Sequence, residues 1–255
     1  MSPVVITILI VAGITILIAI AFINSTLEKN KLEKARQKAD LTDRVRRCGN
    51  LSESMPGQLM SPALKLLLSK IELQLGEQLL PLDKGNAPLL GRLGDLRTQV
   101  AMGESIPIKN PPQPVLAEAK AKEIRFQLEA LHSLIVRAQQ DGQLNAADAK
   151  NWSGEIRTML VLIHIELFSN LGLQALQQSQ PRQARLAFER GVQYLQKQAD
   201  VSRYQAQLQK LQQQLAHANA LVLETSQPNP DDNSQLNEGL KSLADEDDGW
   251  KKKSF

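Results

Sequence analysis

Residues 115–141, VLAEAKAKEIRFQLEALHSLIVRAQQD, decide the architecture. Leu116, Ile124, Leu128, Leu131, Ile135 and Ala138 recur at helical spacing along one side, with charged and amide side chains opposite. That is the period of an amphipathic α-helix with one face to bury. Asp141-Gly142 marks its end. Three further helices are predicted downstream: residues 145–176, apolar in the latter half, residues 181–198 opening on Pro181, and residues 201–223. No stretch alternates at period two for long enough to make a sheet, so the expected class is all-α. Hydrophobic residues make up 42% of the 255-residue chain and aromatic ones only 4%, so the core is expected to be aliphatic.

Upstream, residues 104–114 carry Pro107, Pro111, Pro112 and Pro114 and read as a stiff linker. Before them, residues 61–103 read as a helical hairpin. Ser61-Pro62 opens its first helix as cap and first-turn proline, with Leu64, Leu67, Leu68, Ile71, Leu75 and Leu79 on one face. The second helix carries Leu89, Leu90, Leu93, Leu96 and Val100 after the break at residues 81–88. Residues 49–60, with Gly49, Pro56 and Gly57, read as a loop whose Gly49 stops the preceding helix.

That preceding helix is basic. Residues 24–48 hold Lys29, Lys31, Lys34, Arg36, Lys38, Arg44, Arg46 and Arg47 against Glu28, Glu33, Asp40 and Asp43. It continues an uncharged segment, residues 4–23, long enough as a helix to cross about 30 Å of hydrocarbon. Residues 1–23 are therefore read as a single transmembrane anchor. A cleaved signal ending at Ala19-Ile20-Ala21 fits less well, since no basic residue precedes the apolar run and the run is too long. The basic flank places the N-terminus outside and the rest of the chain in the cytoplasm, at an inner membrane of bacterial type. The acidic tail, residues 225–255, is expected to be disordered.

The segment 168–195 carries a constellation of its own: Phe168, Leu171-Gly172, Ala175, Ala184, Phe188 and Gly191. It resembles a tetratricopeptide repeat, a two-helix module in which small residues at the Gly172 and Ala184 positions let the helices approach closely. Ala175 stands where the family has Tyr, Gln196 where it has a closing Pro, and no second copy is visible. The resemblance implies a protein-binding scaffold within residues 115–224, since a single repeat must stack on flanking helices. Phe168, Leu171, Phe188 and Tyr194 are the candidate partner-binding residues that follow from it.

Val201, Tyr204, Leu208, Leu211, Leu215, Ala218 and Val222 alternate spacings of three and four, a heptad seam open to another chain or to the hairpin itself. Intramolecular packing is favoured, because three heptads are near the minimum for a free coil.

No catalytic residue, cofactor or metal is expected. His132, His164 and His217 are scattered, and the lone Cys48 has no His nearby in sequence. A net charge of +3 is too mild to imply nucleic acid or anionic lipid, the interleaved Glu28, Glu33, Asp40 and Asp43 make the basic run read as a mixed-charge helix face, and no aromatics lie among the bases for stacking. The expected function is a membrane-anchored cytoplasmic adaptor for a protein partner. The alternatives are a self-associating membrane coiled coil, a homo-oligomer, and a membrane tether for nucleic acid.

Overall fold

The computed structural model describes the backbone of residues 3–224 and the side chains of residues 22–224. The described residues are all-α, with seven helices, three short 3-10 turns and no strand. The chain divides into two compact units, the first holding residues 1–53 and 62–108 and the second residues 54–61 and 109–255. The acidic tail, residues 225–255, lies outside the described residues.

In the first unit, α1 (Pro3–Ser54) is a single helix of 52 residues. The expected anchor falls on residues whose side chains, Phe22 and Ile23 apart, are not described; their backbone from Pro3 onward is helical. Every residue from Phe22 to Gln37 is exposed. Packing begins at Lys38, whose Nζ lies 3.0 Å from Asp83. Leu41 and Val45 then lean on a cluster of Leu79, Leu89 and Leu93, and Cys48, Leu51 and Ser52 are buried.

Gly49 does not end the helix as expected. A Cβ there would meet Glu72 Oε1 at 3.2 Å, so the missing side chain permits a close approach. The cost of an interior glycine, about 1 kcal/mol, is tolerated because the flanking residues are packed. The helix stops at Ser54, two residues before Pro56, whose ring disfavours the helical region for Met55.

The expected hairpin is present. α2 (Pro62–Leu79) and α3 (Ala87–Ala101) are joined by a 3-10 turn over Leu80–Leu82. Asn86 caps α3 by accepting from Leu89 N at 3.0 Å.

In the second unit, residues 55–60 and 109–114 are irregular, and hydrogen bonds join the two segments to one another. Gly57 N donates to Pro111 O at 2.9 Å, and Asn110 Nδ2 donates to Met55 O at 2.8 Å. The Gln58 amide brackets Gln113, accepting from its N at 2.9 Å and donating to its O at 2.6 Å. One backbone pair and two side-chain amides thus satisfy backbone groups of both segments across some fifty-five positions of sequence.

Then follow α4 (Glu118–Gln140), α5 (Ala146–Gln177), α6 (Pro181–Gln196) and α7 (Gln205–Glu224), with a 3-10 turn over Val201–Tyr204 before α7. Each helix packs on the next in order. Leu116, expected on the apolar face of α4, precedes the helix and is exposed. Ile124, Leu128, Leu131 and Ile135 bury that face completely.

The turns between helices are locally dictated. After α4, Gly142 takes φ +73°, and Gln143 N and Gly142 N close back on Ala138 O and Gln139 O at 2.8 and 3.1 Å. Asn145 then caps α5 through Asp148 N at 2.7 Å. The same closure ends α5, with Ser179 at φ +58° and Gln180 N donating to Ala175 O at 2.9 Å.

Between Met159 and Phe168, α5 is buried on nearly all sides. Among the described residues it is the one helix long and apolar enough to cross a membrane, and 56% of its apolar window is buried inside this unit. A helix hydrophobic all round is what a central position between α4 and α6 requires.

Candidate interaction surfaces

The second unit is built around one close crossing. A Cβ on Gly172 of α5 would overlap the ring of Phe188 on α6. A Cβ on Gly191 of α6 would meet Leu211 Cδ1 of α7 at 3.0 Å and Phe168 Cβ at 3.1 Å. Two glycines therefore let three helices share one interior, closed by Val161, Ile165, Ala175, Ala184, Val192, Leu195, Tyr204 and Ala218.

This packing separates the candidate partner-binding residues. Phe168 is 3% exposed and Phe188 is fully buried, so both fill the interior rather than line an open groove. Leu171 and Tyr194 are half-buried. The heptad seam also turns inward. Tyr204, Leu211 and Ala218 are buried and Leu208 and Leu215 packed against the same cluster, with Val201 and Val222 half-buried at its ends. The face that could have joined another chain is covered by α6.

Tyr194 has a partner that sequence patterning did not reveal. Its hydroxyl lies 3.3 Å from Nδ1 of the buried His164, and the two rings stand 5.0 Å apart. Nδ1 is also 2.9 Å from Leu160 O, which can only accept, so Nδ1 carries the proton. Phe168 completes an aromatic trio, 6.0 Å from Tyr194.

The first unit holds a buried ionic group. Glu72, its side chain 3% exposed, accepts two hydrogen bonds from Arg92, Nε at 2.7 Å and Nη2 at 3.0 Å. Arg92 also reaches Glu53 at 3.3 Å. Lys65 donates to Ser52 O and Oγ at 3.0 and 2.8 Å, and burial pulls its ammonium below the usual lysine range. These contacts fasten α1 to α2 and α3. One signal existed in the sequence: Glu72 occupies a place in the apolar register of α2, four residues past Leu68.

Cys48 sits in the same place, its thiol donating to Leu68 O at 3.4 Å. Burial, and then the charge of Glu72, push the thiol up to about 12. It is held as the neutral thiol at neutral pH, the unreactive form. Among the described residues no group of three or more His, Cys, Asp and Glu side chains could hold a metal ion.

What remains outward is polar apart from scattered apolar side chains. In the second unit these include Leu116, Phe126, Leu173 and Leu223. In the first unit, Phe22, Ile23, Leu27 and Leu32 are bare along the free part of α1. No family model, no curated protein and no solved structure matches this chain.

Proposed function

We propose that this chain is a single-pass membrane protein whose α1 carries two helical units into the cytoplasm, where the second unit docks a protein partner. The observation that carries the anchor is the free stretch of α1. A helix that stays exposed on every side from Phe22 to Gln37, with Phe22, Ile23 and Leu27 bare, runs directly out of a charge-free segment of membrane-spanning length. An upright stalk rising from a bilayer has this form.

The docking role rests on the α5–α6 hairpin and on α7 behind it. The small-residue crossing at Gly172 and the seating of Leu211 at Gly191 are the contacts by which a tetratricopeptide-like hairpin stacks on its following helix. With Phe168 and Phe188 committed to the interior, the partner surface is carried by the half-buried Leu171 and Tyr194. The self-associating alternative loses its seam, since α6 already covers α7.

The test combines alkaline carbonate extraction of membranes with photocrosslinking in cells from positions 171 and 194. Retention in the membrane and one recurrent partner from those positions are expected. Release by carbonate refutes the anchor, and crosslinks confined to this chain's own residues refute the docking role.

A further inference from the structure

We infer that the free stretch of α1 is a binding belt for anionic phospholipid headgroups, an inference that rests on the anchor reading above. The cations of α1 fall into two groups. From Lys38 onward each is engaged: Lys38 by Asp83 at 3.0 Å, Arg44 by Asp40 at 3.9 Å, and Arg46 and Arg47 by Asp43 at 2.8 and 2.7 Å. The hydrogen bond from Arg46 is the first reason that the Asp43 carboxyl lies below its usual range. Lys29, Lys31, Lys34 and Arg36 instead occupy the exposed turns below, and none of them makes an ion pair with any described residue.

The placement of these four suits a membrane surface. At 1.5 Å per residue, Lys29 stands about 9 Å and Arg36 about 20 Å beyond Ile23. The headgroup layer of one leaflet is about 5–8 Å deep, and its surface potential decays over about 8 Å at physiological salt. Lys29 and Lys31 thus stand just outside the headgroup layer, within reach of its phosphates through their long side chains, and Lys34 and Arg36, about 9–12 Å beyond its outer edge, come within one screening length only by folding their side chains back toward it.

The carboxylates of this stretch, Glu28 and Glu33, are outnumbered two to one by the four cations. At 100° per residue, Leu27, Lys31 and Lys34 share one face, with both carboxylates about a quarter turn or more from its centre, while Lys29 and Arg36 lie on the opposite side beside Glu33. That face is apolar at the hydrocarbon end and basic above it, the order in which a lipid presents acyl chain and phosphate. No aromatic side chain lies among the four cations to stack on a base, which favours lipid over nucleic acid.

The test uses the full chain in nanodiscs containing an excess of phosphatidylcholine over phosphatidylglycerol. Release into mild detergent and native mass spectrometry count the lipids retained. The wild type is expected to keep phosphatidylglycerol several-fold above its bulk share. The variant K29Q/K31Q/K34Q/R36Q, altered only at exposed positions, is expected to lose that enrichment, each cation near an anionic surface being worth up to about fivefold. Lipids retained in bulk proportion by the wild type, or equal enrichment in the variant, would overturn the inference. So would displacement of the retained phosphatidylglycerol by a short DNA duplex, which would reassign the belt. Carbonate extraction of both proteins is read separately: release of the wild type would sink the anchor itself, whatever the lipid ratio.

Discussion

Replacing Gly172 by Ala sets helix propensity against packing, and the structure says which prevails. In an open helix the change is worth about 1 kcal/mol in favour of Ala. Gly154, on the same helix with nothing within 4 Å of its Cβ position, supplies that reference. At Gly172 the new methyl would overlap the Phe188 ring, whose Cδ1 is 2.7 Å away, and Phe188 is fully buried with no space to retreat into. Overpacking of a filled core costs about 1–3 kcal/mol. G154A is thus expected to stabilise the second unit by about 1 kcal/mol, and G172A to lie about 1–3 kcal/mol below it. Urea titration of the full chain, followed by Trp152 fluorescence in a W250F background, reads the transition of this unit. Adding F188L should recover part of the G172A cost, because the two positions share one contact. A G172A protein within about 0.5 kcal/mol of G154A would refute the packing argument.

Other substitutions probe the remaining contacts. S179G should stabilise the second unit by about 1 kcal/mol in the same titration, since Ser179 holds a left-handed φ of +58° that glycine adopts without strain. L211A should cost about 2–5 kcal/mol while L223A changes little, Leu211 being 1% and Leu223 77% exposed; equal effects would contradict an inward-facing seam. Burial, then the charge of Arg157, lowers the pKa of His132 below its usual value, so the folded unit favours the neutral ring. Its contribution is complete above about pH 6.5 and is lost as pH falls through the lowered value, so the urea midpoint should drop in acid and H132Q should flatten that drop. For Cys48, a disulfide reagent at mildly alkaline pH should label only the urea-unfolded chain. Because its folded pKa is raised to about 12, stability is complete below the ordinary thiol value and falls as pH rises toward 12; C48A should lack this component.

The candidate site was legible only in part. The spacing of Phe168, Gly172, Ala184, Phe188 and Gly191 marked a close helix crossing, and these residues do meet around one. The same spacing could not say that Phe168 and Phe188 face inward while Leu171 and Tyr194 remain half-exposed. The His164–Tyr194 contact joins residues thirty apart on two helices, with no local pattern to announce it.

What the sequence determined by itself is the set of helices and, the end of α1 apart, most of their punctuation, because these are local. An apolar period of 3.6, a capping Asn86 or Asn145, and Pro62 or Pro181 at a first turn act within a few residues of backbone and need no distant partner. Tertiary structure alone decided what each apolar face meets. Periodicity identified the α7 seam but carries no information about its cover, and α6 supplies it. Gly49 reads as a breaker in isolation and becomes a contact point once Glu72 lies against it. Residues 54–58 and 110–113 lack any repeating pattern, and only their mutual hydrogen bonds turn a loop and a linker into a joined pair. In each case the deciding energy lies between residues far apart in the chain, where a reading along the chain has no access to it.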